Sequence, residues 1–136
     1  MRYLAIDYGL KRTGLAICDP SEKFVSPLKG ISGQKELIEK VTEVINSENV
    51  QEIVIGLPLN MDDTEGPQAE KVFNFAEKLK QKAKLPIHFQ DERLTSFSAE
   101  VKLRPAEMTK AKRKKVVDAV AAAEILQAFL EKKSKR

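Results

Sequence analysis

The fold is decided near the N-terminus, where residues 2–18 read RYLAIDYGLKRTGLAIC. Residues 2–8 show the pattern of a buried strand, residues 13–18 show that of a second, and a short glycine-containing turn separates them. A connection this short joins antiparallel strands, because parallel neighbours need a crossover of about a dozen residues or more. A third short strand begins at Phe24, so we expect hairpin-linked strands with Asp7 at the exit of the first.

Helical and strand patterns alternate through the rest of the chain. Apolar residues at helical spacing predict four helices, over residues 34–46, 68–84, 95–104 and 109–131. Two compact apolar runs predict strands, at residues 52–56 and 87–89. Helices between the later strands imply parallel pairing with right-handed crossovers. The expected fold class is therefore α/β, with a five-stranded mixed sheet flanked by helices.

The composition is that of a globular protein. The chain has 136 residues, of which 42% are hydrophobic and 32% are charged, and it is long enough to bury a core without staples. No apolar run approaches the roughly 20 residues that span a bilayer, and no signal-peptide pattern is present. The only cysteine, Cys18, fits a reducing cytoplasm, and the only histidine, His88, argues against a zinc site. We expect one cytoplasmic domain over residues 1–136, with a basic tail from about residue 132.

Charge is distributed unevenly along the chain. Residues 102–136 hold eleven Lys and Arg against four Asp and Glu, whereas residues 1–101 hold thirteen against sixteen. A basic end on a mildly acidic body indicates a polyanionic partner that is contacted near one edge. Lysines that merely solvate a helix would give the same pattern, so the charge alone leaves both interpretations open.

Carboxylates follow two of the predicted strands. Asp7 comes directly after the first strand, and Asp91 and Glu92 follow the strand at residues 87–89. Open α/β sheets bind ligands at the carboxyl ends of their strands. Asp7 could instead cap the turn at Gly9, and the acidic pair could lie in an exposed turn. Side-chain alternation sends Asp91 and Glu92 to opposite sides, and it does not decide which of them faces a shared site.

Asp118 lies on the core-facing side of the last predicted helix. At about 100° per residue, it lines up with Ala121, Ala122, Ile125 and Phe129. Burying an uncompensated carboxylate costs several kcal/mol or shifts its pKa, so Asp118 needs a partner. Lys114 could supply a structural salt bridge from one turn away. With two other carboxylates at strand ends, a hard divalent cation is the better explanation, and two such ions can promote phosphodiester cleavage.

Four ordered motifs give the sequence its most specific resemblance. They read DYG at residues 7–9 with RTG at 12–14, GLPLNMD at 56–62 with TEG at 64–66, DERLTS at 91–96, and DAVAA at 118–122. In this order they resemble the YqgF/RuvX family, and the likeness extends over residues 2–130. The resemblance implies an RNase H-like fold related to Holliday-junction resolvases. It also implies a nuclease that processes the 5′ end of pre-16S ribosomal RNA.

The resemblance also implies candidate site residues. The catalytic and metal-binding triad would be Asp7, Glu92 and Asp118, holding Mg²⁺ or Mn²⁺, with two ions when substrate is bound. A loop motif near the site comprises Gly56, Pro58, Asn60, Asp62 and Gly66. Asp63 stands where the family commonly has glycine. Aspartate tolerates the left-handed backbone, but its charge puts contact between this loop and a phosphate in doubt.

Basic residues beside the triad are candidates for binding phosphates. Lysine and arginine next to such a site give salt-dependent and largely sequence-independent affinity for nucleic acid. The predicted contacts are Lys11, Arg12, Arg93, Lys112, Arg113, Lys114 and Lys115. Each could equally be a surface charge or part of a structural ion pair, and Arg12 or Arg93 could orient a carboxylate.

Three other functions are compatible with parts of this pattern. A nucleotide-binding fold of the actin and sugar-kinase type also opens with Asp-x-Gly, but it needs two domains. A resolvase of branched DNA would need two active sites and therefore a dimer. A structured-RNA-binding module would keep the fold without chemistry. The predicted partner is nucleic acid, above all a ribosomal RNA precursor, with no membrane involved. The sequence leaves monomer and homodimer open.

Overall fold

The secondary structure follows the predicted order of strands and helices. The computed structural model describes residues 1–60, 62, 64–92 and 110–135. In chain order, its elements are β1 (Tyr3–Asp7), β2 (Arg12–Cys18), β3 (Val25–Ser32), α1 (Leu37–Ser47), β4 (Glu52–Leu57), α2 (Pro67–Ala83), β5 (Ile87–Asp91) and α3 (Lys110–Ser134). The short helix predicted over residues 95–104 lies outside the described residues.

The five strands form one mixed sheet in the order β3-β2-β1-β4-β5. Strands β1, β2 and β3 pair antiparallel through short turns, whereas β1, β4 and β5 run parallel. The connections that lead to β4 and β5 contain α1 and α2, because a parallel strand must begin at the same end of the sheet as its neighbour. The predicted α/β class and five-stranded mixed sheet are confirmed.

Helices cover both faces of the sheet. Leu4 and Ile6 of β1 point to the face that packs against Val41 of α1 and Leu79 of α2. Ala5 alternates to the opposite face, where it packs against α3 residues Ala122, Ala123, Ile125 and Leu126. Each large aliphatic side chain buried completely in these two layers contributes roughly 2 kcal/mol of transfer free energy. Of the predicted core-facing residues, Ala122 and Ile125 are buried in this layer and Phe129 packs against it, whereas Ala121 is only partly buried.

Two glycines allow α3 to lie directly on the sheet. Gly14 of β2 lies against the backbone of Asp118, so closely that no side chain fits between them. An added Cβ at Gly30 of β3 would lie 2.8 Å from the carbonyl oxygen of Lys115. These contacts fix the first half of α3 over β2 and β3, and they bring Asp118 to the sheet.

The third strand is longer than predicted. It runs for eight residues to Ser32 and includes Pro27, which cannot donate a backbone hydrogen bond. Proline is tolerated here because β3 is an edge strand and because its pairing with β2 is irregular between Leu15 and Ala16.

The last helix also continues beyond its predicted end, to Ser134, so most of the predicted basic tail is helical.

The first helix begins three residues later than its apolar pattern predicts. Gln34 donates its side-chain amide to the carbonyls of Gly9 and Leu10, which draws the preceding segment toward the β1–β2 turn. Glu36 has a left-handed backbone with φ of 57°, so the regular helix starts only at Leu37.

Among the helices that the structure describes, none combines the length and the apolar character that a membrane span requires.

Candidate active site

Asp7 and Glu92 meet at the carboxyl ends of neighbouring strands. Asp7 is the last residue of β1, Glu92 directly follows β5, and β4 lies between the two strands. The backbone N–H of Glu92 donates to the carbonyl of Leu57 at 3.2 Å, which extends the pairing of β5 with β4. Because β1, β4 and β5 are parallel, both carboxyl groups reach the same edge of the sheet, as predicted.

Gly56 provides the space between these two carboxyl groups. An added Cβ at Gly56 would lie 2.5 Å from Oε2 of Glu92 and 2.6 Å from Cδ1 of Ile125. The bare Cα lets the Glu92 side chain extend across β4, while Ile125 closes the space from α3. Gly56 is a buried residue within β4, as the strand predicted over residues 52–56 implies, so it lies near the site but is not part of the loop to which the motif also assigned it.

The carboxyl groups of Asp7 and Glu92 share a hydrogen bond, which requires a proton on one of them. Burial, the charge of Asp7 and the hydrogen bond to Asp7 together raise the pKa of Glu92 to about 8. Burial raises the pKa of Asp7 to about 6, against the effect of the hydrogen bond from Glu92. Glu92 thus carries the proton and donates it to Asp7.

Asp118 is held by an arginine from the β1–β2 hairpin. Nε of Arg12 donates to Oδ2 of Asp118 at 2.8 Å, and the two side chains are 35% and 17% exposed. Burial raises the pKa of Asp118, and the bond to Arg12 opposes that rise. The sequence offered Lys114 as the salt-bridge partner of Asp118 and, separately, Arg12 as a residue that could orient a carboxylate. The structure bears out Arg12, and the Lys114 side chain is exposed. A partner so distant in sequence has no periodic pattern that would reveal it.

The three carboxyl groups are neighbours, but they do not form a closed cage. The carboxyl group of Asp7 is hydrogen-bonded to that of Glu92, and the negative charge of Asp118 raises the pKa of Asp7. Asp7 is therefore the carboxyl group that interacts with both Glu92 and Asp118. In the described ranges, no three His, Cys, Asp or Glu side chains are grouped closely enough to hold a metal ion. The donor chemistry nevertheless fits a hard divalent cation, because partly buried carboxylates that repel one another are the ligands that Mg²⁺ and Mn²⁺ favour.

The shared proton predicts that the cation-free protein loses stability as the pH rises. Both groups have a pKa above the unfolded values of 3.8 and 4.5, so folding favours their protonated forms. This contribution is complete below about pH 4 and is lost as the pH rises through about 6 and 8. We expect the free energy of unfolding in EDTA to fall by roughly 1–3 kcal/mol between about pH 5 and pH 8.5.

Urea denaturation at the two pH values measures this loss. Glu92→Gln is the control, because it removes the group with the higher pKa and leaves other titrations in place. We expect the variant to lose less stability than the wild type over the same interval. Equal losses in both proteins would show that Glu92 does not hold the proton.

Gln34, which lies outside the β1–β2 hairpin, braces the turn that precedes Arg12. The Tyr8 hydroxyl donates to Oε1 of Gln34 at 2.9 Å. Nε2 of Gln34 donates in turn to the carbonyls of Gly9 at 2.8 Å and Leu10 at 3.0 Å. Sequence reasoning missed Gln34, because a lone polar residue 25 positions from the turn it binds gives no local pattern.

The predicted phosphate contacts lie at two places beside the carboxylates. Lys11 is exposed in the β1–β2 turn, next to Arg12. In the first half of α3, Arg113 is partly buried, whereas the exposed side chains are Lys112, Lys114 and Lys115. Since these residues precede Asp118 on the same helix, they form a basic edge near the site. Arg93 and Asp63 lie outside the described residues.

The loop between β4 and α2 is closed by its own side chains. The amide of Asn60 donates to the hydroxyl of Thr64 at 2.9 Å, and that hydroxyl donates to Asp62 at 2.6 Å. Gly66 precedes α2, and an added Cβ there would lie 3.1 Å from the Asn60 amide. Pro58 follows β4 directly. These contacts hold the shape of the loop and make Asn60 and Gly66 structural residues.

Known proteins resemble this chain over nearly its whole length. A family model described as "RuvX: Holliday junction resolvase" matches residues 1–132. A protein of Maridesulfovibrio salexigens named "Putative pre-16S rRNA nuclease" is 42% identical over 132 residues, which are 96% of this chain and 98% of that protein. A protein of the same name from Caldanaerobacter subterraneus subsp. tengcongensis is 40% identical and covers 96% of both chains.

A solved structure extends the comparison to the fold. The structure of RuvC from Thermus thermophilus matches 98% of this chain and 97% of its own, with a TM-score of 0.61. Its sequence identity of 13% limits the likeness to the fold. The RNase H-like arrangement predicted from the motifs is confirmed.

Proposed function

This chain belongs to the RuvX family of Holliday junction resolvases, and we propose that it is a divalent-cation-dependent nuclease with Asp7, Glu92 and Asp118 as its catalytic carboxylates. We further propose that its substrate is the 5′ region of the pre-16S ribosomal RNA. Relatives that are 40% and 42% identical over almost the whole chain carry that activity in their names, which supports RNA as the substrate.

One observation carries the catalytic proposal: the carboxyl groups of Asp7 and Glu92, both only partly exposed, lie within hydrogen-bonding contact of each other and beside Asp118. Such an arrangement is unfavourable for folding, because each carboxyl group raises the cost of ionising the other. Perturbed carboxylates at the carboxyl edge of a sheet are typical of functional sites. A divalent cation would relieve the repulsion and displace the proton from Glu92.

Hydrolysis adds the oxygen of water to phosphorus, breaks a P–O ester bond and delivers a proton to the leaving oxygen. Bound divalent cations supply activation of the water and stabilisation of the leaving oxygen. Asp7, Glu92 and Asp118 would hold these cations. Lys112, together with the other basic residues of α3, would bind the phosphates that flank the cut.

The experiment compares three substrates: a 5′-extended pre-16S RNA, single-stranded DNA and a four-way DNA junction. Each is incubated with the full chain in Mg²⁺, Mn²⁺ or EDTA. Glu92→Gln and Asp118→Asn are the test variants, and Glu43→Gln, on the exposed surface of α1, is the matched control. We expect RNA cleavage that needs the cation, falls about 100-fold or more in each test variant, and persists in the control.

The other outcomes identify the competing functions. Cleavage of the junction alone would favour a resolvase, which the description of the family model supports, and light scattering would then have to show a dimer. Tight RNA binding without cleavage, under either cation, would contradict the catalytic proposal and indicate a binding module.

The basic residues of α3 predict a salt-dependent affinity for RNA. The double variant Lys112→Ala/Lys114→Ala removes two exposed charges near Asp118. We expect weaker binding of the RNA precursor in Ca²⁺. The slope of log affinity against log salt should become less steep by about 0.7 for each phosphate that the protein no longer neutralises.

Lys132→Ala/Lys135→Ala is the matched control for this prediction, because it removes the same charge from the other end of the helix. Fluorescence anisotropy at several salt concentrations measures both variants. Equal decreases in affinity in the two pairs would show that only the net charge of the protein matters.

A further inference from the structure

Arg12 forms an ion pair with Asp118, the carboxylate that the proposed function assigns to a cation. Its Nε donates to Oδ2 of Asp118 at 2.8 Å across a sequence separation of 106 residues. Arg12 itself is half-buried, and Asp118 is only 17% exposed. The site therefore already contains one positive group at Asp118.

Both partners of this ion pair are anchored by the backbone. Arg12 pairs with Ser32 of β3, and the preceding turn is held by a hydrogen bond from the N–H of Gly33 to the carbonyl of Lys11 at 2.8 Å. Asp118 cannot move toward the sheet, because its backbone lies against Gly14. Anchoring of both ends makes the contact preorganised, so little side-chain entropy is lost when it forms.

The other two carboxyl groups of the site, those of Asp7 and Glu92, interact with each other. Asp7 and Glu92 are hydrogen-bonded to each other, and within the described ranges the Arg12 guanidinium forms its ion pair with Asp118. A cation that gathered all three carboxylates would have to compete with Arg12 for Asp118. An arginine that merely oriented Asp118 would promote cation binding, whereas a competing arginine would weaken it.

We propose that Arg12 is an exchangeable counter-ion of Asp118: it neutralises this carboxylate in the cation-free protein and releases it when a divalent cation binds. The inference rests on the proposed function, because it takes Asp118 as a cation ligand. It makes Arg12 a competitor of the cation for Asp118, so its removal tightens the binding of the cation.

The test measures the dissociation constant for Mn²⁺ by calorimetry or electron paramagnetic resonance, in the full chain and without nucleic acid. We expect Arg12→Gln to bind Mn²⁺ about two- to fivefold more tightly than the wild type, as loss of a partly exposed ion pair implies. Arg12→Lys should lie between them, because lysine makes a weaker contact with a carboxylate. Lys11→Gln is the matched control: it removes the same charge one residue away, and we expect it to change the constant less than twofold.

A double-mutant cycle separates competition from general electrostatics. In an Asp118→Asn background the Arg12 substitution should no longer tighten binding, because the ion pair is already gone. Circular dichroism confirms that each variant is folded, and Arg12→Lys decides the question if Arg12→Gln does not fold.

Three results would overturn the inference. Unchanged or weaker Mn²⁺ binding in folded Arg12→Gln would overturn it and leave the nuclease proposal standing. Equal tightening in Lys11→Gln would also overturn it, since net charge would explain both variants. Absence of Mn²⁺ binding in wild type and variants alike would overturn it together with the cation dependence of the proposed function.

Discussion

Asp7→Asn is expected to stabilise the cation-free protein while abolishing cleavage. Asparagine keeps the size of Asp7 and its hydrogen bond with Glu92, but it removes the buried charge that raises the pKa of its neighbour. At about pH 8 the free energy of unfolding in EDTA should rise by roughly 1–2 kcal/mol. If Asp7 is a catalytic carboxylate as proposed, cleavage of the RNA precursor should fall by about 1000-fold or more, because the variant would lose a charged ligand of the cation.

A substitution that raises stability and lowers activity indicates that the original carboxylate is retained for function rather than for folding. Asp19→Asn gives the opposite pattern and serves as the control. Asp19 accepts hydrogen bonds from the Ser21 hydroxyl and from the N–H groups of Phe24 at 2.7 Å and Lys23 at 2.9 Å, and these hydrogen bonds lower its pKa to about 2. Its replacement should reduce stability and leave cleavage intact. An Asp7→Asn protein that is less stable than wild type at this pH would instead indicate a structural carboxylate.

Gly14→Ala is expected to displace the helix that carries Asp118. The new Cβ would overlap the carbonyl of Asp118, and the backbone on both sides of this contact is fixed by regular structure. Overpacking of this kind costs typically 1–3 kcal/mol. We expect a destabilisation of about 3 kcal/mol and a melting temperature lower by about 10 °C. Cleavage should also fall at temperatures at which the variant is fully folded, because Asp118 has moved.

Gly33→Ala is the matched control for Gly14→Ala. Gly33 has a left-handed backbone with φ of 76°, but an added Cβ would meet no atom within 4 Å. Its replacement therefore carries only the backbone strain, about 1 kcal/mol. Thermal unfolding of both variants measures the difference. Similar destabilisation of the two would mean that α3 does not rest on Gly14 as closely as described.

Local patterns were sufficient to predict the architecture. The β1–β2 hairpin follows from one short turn between two apolar runs, and the parallel strands follow from the helices that separate them. The carboxyl ends of parallel strands then had to bring Asp7 and Glu92 to one edge. Asp118 could be placed because the periodicity of α3 puts it on the side of Ala122 and Ile125, which are completely or almost completely buried.

The sequence offered Arg12 as a residue that could orient a carboxylate, but it could not predict which carboxylate Arg12 binds. Arg12 reaches Asp118 and Gln34 reaches the turn at Gly9 only through tertiary packing, and no spacing in the chain encodes such contacts. The choice between Asp91 and Glu92 depended on family resemblance. The structure shows why alternation alone failed: β5 ends at Asp91, and Glu92 turns toward Asp7 beyond the last regular strand residue.

The distribution of the site along the chain has a consequence for synthesis. Asp7 lies in β1, which emerges first during translation, whereas Asp118 and its basic neighbours lie in α3. A growing polypeptide that ends before α3 lacks Asp118 and the lysines that precede it. If these residues act as proposed, we expect a chain truncated before α3 to cleave no RNA, because the site is complete only after α3 has docked on Gly14 and Gly30.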